Sequence, residues 1–354
     1  MMFRHLPITM ITIVAAFILS GCSDSSPIAT GKGTEPTIWR FALEEIGGSV
    51  QDAYAQEFRS RIHEISDGAV QVEIYPYGSI GSSPQLTQLV RDGRVHMAFA
   101  SPGHLAATIP ETGVFNLHFV LPDDEQSANS RLASEELRGM LAEPFQAREL
   151  QLLDIFNEGW MAWTANKPLR TPEDFTGLRL RTMTSPIMTD IFRAYGAEPV
   201  AMPYSEVYAG LQLKQIDGQT NPVFSILEMK FYELQEVMIQ PRAARFVTTL
   251  VTSPSWYQQL PEQHQQWIAQ VRDGLRPYVE EKQQQYNAER LDQLKKSGRI
   301  RIVDLTDEER NRFRTLSLPV REIYLNQTGA NGQQILDLLT RDEPALTPEP
   351  ASAD

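Results

Sequence analysis

The chain of 354 residues contains a single cysteine. One thiol cannot close an internal disulfide or ligate a zinc ribbon or an iron–sulfur cluster, so those scaffolds are excluded. Positive charge is scarce too: 32 Lys and Arg stand against 45 Asp and Glu, a formal charge of −13. Nucleic-acid binding depends on basic side chains neutralising phosphates, and this balance argues against such a partner. Long apolar runs are missing. The longest, at residues 8–19, is about a dozen residues, against the roughly 20 that span a bilayer. Signatures of catalysis are absent as well. The six histidines form no His-Glu-x-x-His or His-x-His pattern, no Gly-x-Ser-x-Gly occurs, and the glycine-containing segment at residues 77–82 lacks the lysine of a phosphate loop. Asp123-Asp124-Glu125 reads as a solvated acidic turn. His96, His104 and His118 flank strand ends, where a structural or pocket-wall role is favoured over metal ligation. No cofactor or metal is implied.

What is present begins with the N-terminus. Arg4, the apolar run at 8–19 and the ending Leu19-Ser20-Gly21-Cys22 resemble a bacterial lipoprotein signal, with cleavage before the cysteine and acylation of its thiol. Residues 1–21 are expected to be the signal peptide. Residues 22–35, rich in Ser, Gly, Thr and Asp, then form a flexible tether holding the protein at the cell envelope, in the periplasm, by a lipid anchor at Cys22. Residues 344–354 are expected to form a disordered tail.

Between these ends the apolar share of 42% and charged share of 22% are those of a folded protein. Residues 37–42 read as a buried strand. Ser49 caps a helix in which Val50, Tyr54, Phe58, Ile62 and Ile65 share one face. A strand at 70–74, a short helix from Ser83-Pro84 and a strand at 95–100 complete a βαβαβ unit, the pattern of a parallel sheet flanked by helices. A second α/β set is expected from strands at 152–156, 161–165, 178–182 and 199–202, with a helix at 185–195 and another capped by Ser205. Two such units imply an α/β protein of two lobes with a cleft between them. Residues 260–297 carry no strand signal. At 1.5 Å per residue they span on the order of 50 Å as helix, read either as two successive helices broken near Pro277 or as one kinked helix lying along both lobes and tying them together.

The segment Gly177-Leu178-Arg179-Leu180-Arg181-Thr182 carries the clearest chemistry. Arg179 and Arg181 share one face of a strand, and Arg181 closes it before small hydroxyl residues and a helix. Open α/β sheets present ligands at such strand ends, and a guanidinium grips a carboxylate with two parallel hydrogen bonds.

That segment, together with Met202-Pro203-Tyr204-Ser205-Glu206-Val207-Tyr208 and Asp217-Gly218-Gln219-Thr220-Asn221-Pro222, resembles the DctP-type solute-binding subunits of TRAP transporters. The resemblance implies a two-lobed periplasmic binding protein with a ligand cleft between the lobes and a long helix spanning both. Lobe I would comprise residues 36–157 plus about 245–286, and lobe II residues 158–244 plus about 287–343. It implies no enzyme but a receptor that hands a small carboxylate or zwitterion to a sodium-coupled permease of small and large membrane subunits. By the same resemblance Arg181 holds the ligand carboxylate, and Asn221 and Tyr204 contact the ligand. Trp39-Arg40-Phe41-Ala42-Leu43-Glu44-Glu45, Ser101-Pro102-Gly103 and Arg181-Thr182-Met183-Thr184 look like the ectoine-binding branch, in which a glutamate, here Glu45, faces the cationic part of a zwitterion. Met161 stands where sialic-acid receptors place a second arginine, and Tyr204 where ectoine receptors place tryptophan. Flat walls for the site are expected from Tyr204, Phe224, Trp160, Trp163 and Phe99. Two other readings are a receptor signalling to a membrane sensor and a cell-envelope hydrolase or lyase.

Overall fold

The computed structural model describes residues 35–341. Cys22, the signal peptide and the C-terminal tail lie outside them, as does all of the tether except Glu35. In chain order the described residues begin with β1 (Thr37–Ala42), α1 (Val50–Ile65), β2 (Val70–Tyr75), α2 (Ser83–Arg91), β3 (Met97–Ala100), α3 (Pro102–Leu105), α4 (Glu125–Leu132) and α5 (Glu135–Gln146). The long β4 (Gln151–Ala165) follows, then β5 (Arg179–Thr182), α6 (Pro186–Ala194), β6 (Glu198–Ala201), α7 (Val207–Gln212), β7 (Gly218–Pro222), α8 (Val223–Glu228) and β8 (Val237–Gln240). The last elements are β9 (Arg245–Thr252), α9 (Pro254–Gln259), α10 (Glu262–Ser297), β10 (Arg301–Asp304) and α11 (Asp307–Thr340).

The strands form two sheets that share β4. In the first, the order is β2-β1-β3-β9-β4, with β1 parallel to β2 and β3 and the remaining pairs antiparallel. In the second, the far end of β4 lies between β7 and β8; β5 and β6 extend the β7 side, and β10 pairs with β8. The βαβαβ start is as the sequence implies, and Ser49 caps α1 by accepting from the Asp52 N–H at 3.1 Å.

Two of the expected strands, at 152–156 and 161–165, are one. The chain passes through Gly159 at φ +114°, and the register with β9 shifts between Asn157 and Trp160 without ending the strand. The glycine supplies a backbone conformation closed to other residues, so the strand turns from one sheet into the other instead of stopping. The helix expected at Ser205 begins instead at Val207, after a 3-10 turn at Tyr204–Glu206.

Helix α10 runs unbroken through Pro277 for 36 residues, roughly 54 Å. Its Ile268, Val271, Leu275 and Val279 recur at helical spacing and pack with Tyr54, Phe58 and Ile62 of α1 against the first sheet. Leu294, near its other end, packs with Met238 of the second and with Phe231 in the turn before β8. One helix therefore contributes to the cores of both lobes. Residues 307–340, which the sequence pattern leaves unassigned, form α11 as two arms meeting at Gly329. Thr306 and Glu309 cap its start reciprocally at 3.2 and 2.8 Å. The first arm lies on α6, and the second reaches α5, where Asn331 donates to the Met140 carbonyl at 3.1 Å.

Gly159 is the single residue joining the two halves of β4. An added Cβ there would fall 2.6 Å from Asn287 Nδ2 of α10, and the positive φ would be strained in any case. Gly159→Ala is expected to destabilise the protein by about 1–3 kcal/mol in chemical denaturation. Gly139→Ala, in α5 with open space around it, is expected to be neutral or stabilising by up to about 1 kcal/mol. Equal midpoints for the two variants would remove the special status given to Gly159.

Candidate functional site

The carboxyl ends of the strands converge from both sheets on one cavity. From the first sheet come Glu44 and Glu45, just beyond β1; Ser101 and His104, beyond β3; Ser83 at the start of α2; and Phe246 of β9. From the second come Arg181 at the end of β5, Met183, Tyr204, Asn221 at the end of β7, and Ser225 of α8. Ligands of open α/β sheets sit at such strand ends.

Arg181 dominates the site. It is 0% exposed, and its Nε donates to the Met202 carbonyl at 2.9 Å, while Nη1 and Nη2 have no partner. Burial without an anion pulls its pKa down to about 10. The other arginine of the strand behaves differently: Arg179 forks onto Asp217 at 2.6 and 2.9 Å in partly exposed surroundings. Arg181 thus keeps two parallel donors free in a dry site, the arrangement that fits a carboxylate.

From the first sheet two glutamates face the same cavity. Glu44 Oε2 accepts from the Ser101 N–H at 2.7 Å and Oε1 has no partner; burial raises its pKa to about 7 against the hydrogen bonds from Ser83 and Ser101. Glu45 is held well above the usual carboxylate range, first by burial and then by the neighbouring charge of Glu158. His104 is neutral, its pKa lowered to about 4 by burial and by Arg181, with Nδ1 3.1 Å from the Thr184 hydroxyl. The lining therefore offers a fixed cation on one side and two acidic groups with spare acceptor oxygens on the other.

The structure brings Arg181, Asn221, Glu45 and Tyr204 together on this cavity. Asn221 donates to the Gln219 side chain, and Tyr204 stands edge-on to Tyr77 at 5.4 Å. Phe224 is behind the wall, 6.3 Å from Phe246. The other aromatics lie elsewhere. Trp160 is covered by the Arg245 guanidinium at 4.0 Å, and Trp163 is buried among Phe175, Phe192, Tyr195 and Phe313. Phe99 packs on Phe41, Tyr54 and Phe156. Sequence reasoning leaves out Glu44, Ser83, Ser101, Met183, Ser225 and Phe246 as lining residues. The signal for Glu44 and Ser101 is their place immediately after parallel strands. Phe246 has none, because β9 is antiparallel and its residues read as core.

Two lobes sharing one strand and one long helix, with a polar site at the strand ends, have the architecture of a solute-binding protein. The model of the DctP family, bacterial extracellular solute-binding proteins of family 7, matches residues 44–327. The ectoine-binding periplasmic protein TeaA of Halomonas elongata is 32% identical over 313 residues, covering 88% of this chain and 91% of that protein. The ectoine/5-hydroxyectoine-binding protein UehA of Ruegeria pomeroyi is 31% identical, covering 89% and 93%. Among solved structures, an apo open TRAP periplasmic solute-binding protein of Marinobacter aquaeolei VT8 is 47% identical with a TM-score of 0.82, covering 86% of this chain and 100% of that one. The chain belongs to the DctP family: it is a solute-binding subunit of the TRAP type and not an enzyme.

The raised pKa of Glu44 fixes a sign for the pH dependence of the ligand-free fold. Its folded value, about 7, exceeds the ordinary 4.5 of the unfolded chain. The stability it contributes is therefore fully present below about pH 4.5 and is lost as pH rises through about 7. In Glu44→Gln this loss should vanish. The parent should fall by on the order of 1–3 kcal/mol relative to the variant between pH 5 and 8 in parallel denaturation series. His104 and His118 titrate with the opposite sign but alike in both proteins. A constant difference between the two proteins would contradict the assignment.

Proposed function

We propose that this protein captures a small zwitterion, with its carboxylate on Arg181 and a cationic nitrogen toward Glu44 and Glu45, and delivers it to a sodium-coupled TRAP permease. The observation that carries the reading is the pair of unpartnered donors, Nη1 and Nη2, on a fully buried guanidinium lining the cavity. A buried charge of this kind is costly unless an anion completes it. The two acidic groups opposite would repel a second carboxylate, which favours an ectoine-like solute over a dicarboxylate or sugar acid. The names of TeaA and UehA support the same direction. Asn221 adds a polar contact beside the carboxylate, and Tyr204 and Phe246 supply flat walls.

The solute enters by parting of the lobes. Residues 36–157 with about 245–286 would move against residues 158–244 with about 287–343, the two joined through β4 and α10. Delivery takes place in the periplasm, with Cys22 acylated so that the receptor stays near its permease. Cys22→Ala should move the mature protein from the membrane to the soluble fraction on cell fractionation while leaving affinity unchanged. A wild-type mature protein whose Cys22 labels with a thiol reagent would end the lipid-anchor reading.

The binding experiment is a thermal-shift screen of small carboxylates and zwitterions, followed by affinity measurements on the solute found. Saturation at 100 times the dissociation constant should stabilise the fold by about 2.7 kcal/mol. Arg181→Ala should weaken binding by roughly 30-fold to several thousandfold, since one partner of a buried charged pair is removed at about 2–5 kcal/mol. Arg181→Lys should recover little, because an ammonium lacks the planar fork. Parent-like affinity in both arginine variants would refute the site.

A further inference from the structure

Glu158 is the last residue before Gly159, at the point where β4 passes from one sheet to the other, and it is 0% exposed. Its carboxyl does not line the cavity, yet Gln51 ties it to the carboxyl of Glu45, which does: the Gln51 backbone N–H reaches Glu45 and its side-chain amide reaches Glu158. Two neighbouring carboxyls away from water repel when both are ionised, and a proton held between them removes the repulsion. Donors reach both carboxyls: the Gln51 side-chain amide donates to Glu158 Oε1 at 3.2 Å and to the Thr248 hydroxyl at 3.1 Å, the Gln51 backbone N–H reaches Glu45 Oε2 at 3.5 Å, and the hydroxyls of Thr248 and Ser49 favour the ionised forms of Glu158 and Glu45 without offsetting their burial. Glu45 Oε1 and Glu158 Oε2 are left with no donor. The groups around the pair do not neutralise it. Glu44 and Glu228 add negative charge, Arg290 of α10 is ion-paired to Glu228 at 3.2 Å, and Arg181, Tyr204 and His104 lie around the cavity.

We propose that Glu45 and Glu158 hold one proton between them while the site is empty and release it to solvent when a cationic N–H group of the solute docks on Glu45. Glu158 is then a positioning residue that ties capture to pH. The charge balances: the empty pair with its proton carries −1, and the ionised pair with a bound cation also carries −1, so the buried charge does not grow on binding. Like charges in contact away from water cannot both ionise without such compensation. Burial holds both carboxyls above their ordinary values, so the pair keeps its proton above the pH at which a free carboxyl loses it. A solute with a carboxylate but no cationic nitrogen leaves the proton where it is.

This inference rests on the zwitterion reading, and its test is built to fail separately from it. Ectoine serves as the probe in calorimetric titration of the full chain at about pH 6.5, in two buffers of different ionisation enthalpy. The parent should release close to one proton per ectoine bound, and its affinity should rise by up to about tenfold per pH unit below pH 7 and level off above it. Glu158→Gln, which still accepts from Gln51 but shares no proton, should bind with little release and a flat profile. Binding without proton release in the parent, or equal release in the variant, overturns the proposal. A chain that does not bind ectoine counts against the zwitterion reading alone. The pair is then decided in the ligand-free protein by carbon NMR of labelled glutamate carboxyls. One protonated carboxyl within the pair at pH 6.5 supports the proposal; two ionised ones overturn it.

Discussion

Everything at the centre of this molecule is arranged around one incomplete interaction, the buried guanidinium of Arg181. Folding has removed it from water and given it only the Met202 carbonyl in return. A charge so placed would ordinarily be selected against as a cost to stability; on the proposed reading the same cost becomes affinity, with a solute completing what the fold leaves open. The rest follows from holding that group still. Strand β5 fixes its backbone between β6 and β7, and Arg179 anchors the strand's other end to Asp217. The polar ends of β1, β3 and β7 then line the same cavity, where Glu44 Oε1, Glu45 Oε1 and the Ser101 hydroxyl have no partner.

The opposing acidic side is built from the other lobe by the same device. Glu44 and Glu45 leave the end of β1 and are drawn inward by the first turn of α1, where Gln51 bonds to the Glu44 backbone at 2.9 Å as well as to Glu158. Gln51 is 0% exposed and touches β1's continuation, β9 through Thr248 and the turning point of β4. The site and the junction between sheets are thus one hydrogen-bonded network. Asn287 of α10 continues it, donating to the Glu158 carbonyl at 2.7 Å. Solute charge and lobe geometry have a physical path between them through Glu45, Gln51, Glu158 and Asn287.

Much of this was legible in the chain. The period-two and helical patterns around β1, α1, β2 and β3 are local, as is the cap at Ser49, so the sequence around them suffices. Arg181 was legible because a charged residue at a strand's end, ahead of a helix, has few structural uses. Three features were not. The continuity of β4 depends on one glycine whose positive φ makes sense only once both sheets exist. Helix α11 buries Phe313, Val320 and Tyr324 on one arm and Ile335 and Leu339 on the other, and the change of direction at Gly329 breaks the period a single helix would show. Trp163 and Phe99, large flat residues near strand ends, read equally as ligand walls or as core, and the packing of distant residues such as Phe313 and Tyr54 places them in the core.

The central claim is that the buried fork of Arg181 and the acidic pair beyond it are completed by the two ends of one solute. A crystal structure of the protein with its solute tests this most directly. The account predicts a carboxylate bonded to both Nη1 and Nη2 of Arg181, with a nitrogen of the same molecule within hydrogen-bond distance of Glu45 or Glu44. A bound solute that leaves both terminal nitrogens unpaired, or that presents an anionic group to the glutamates, would contradict it.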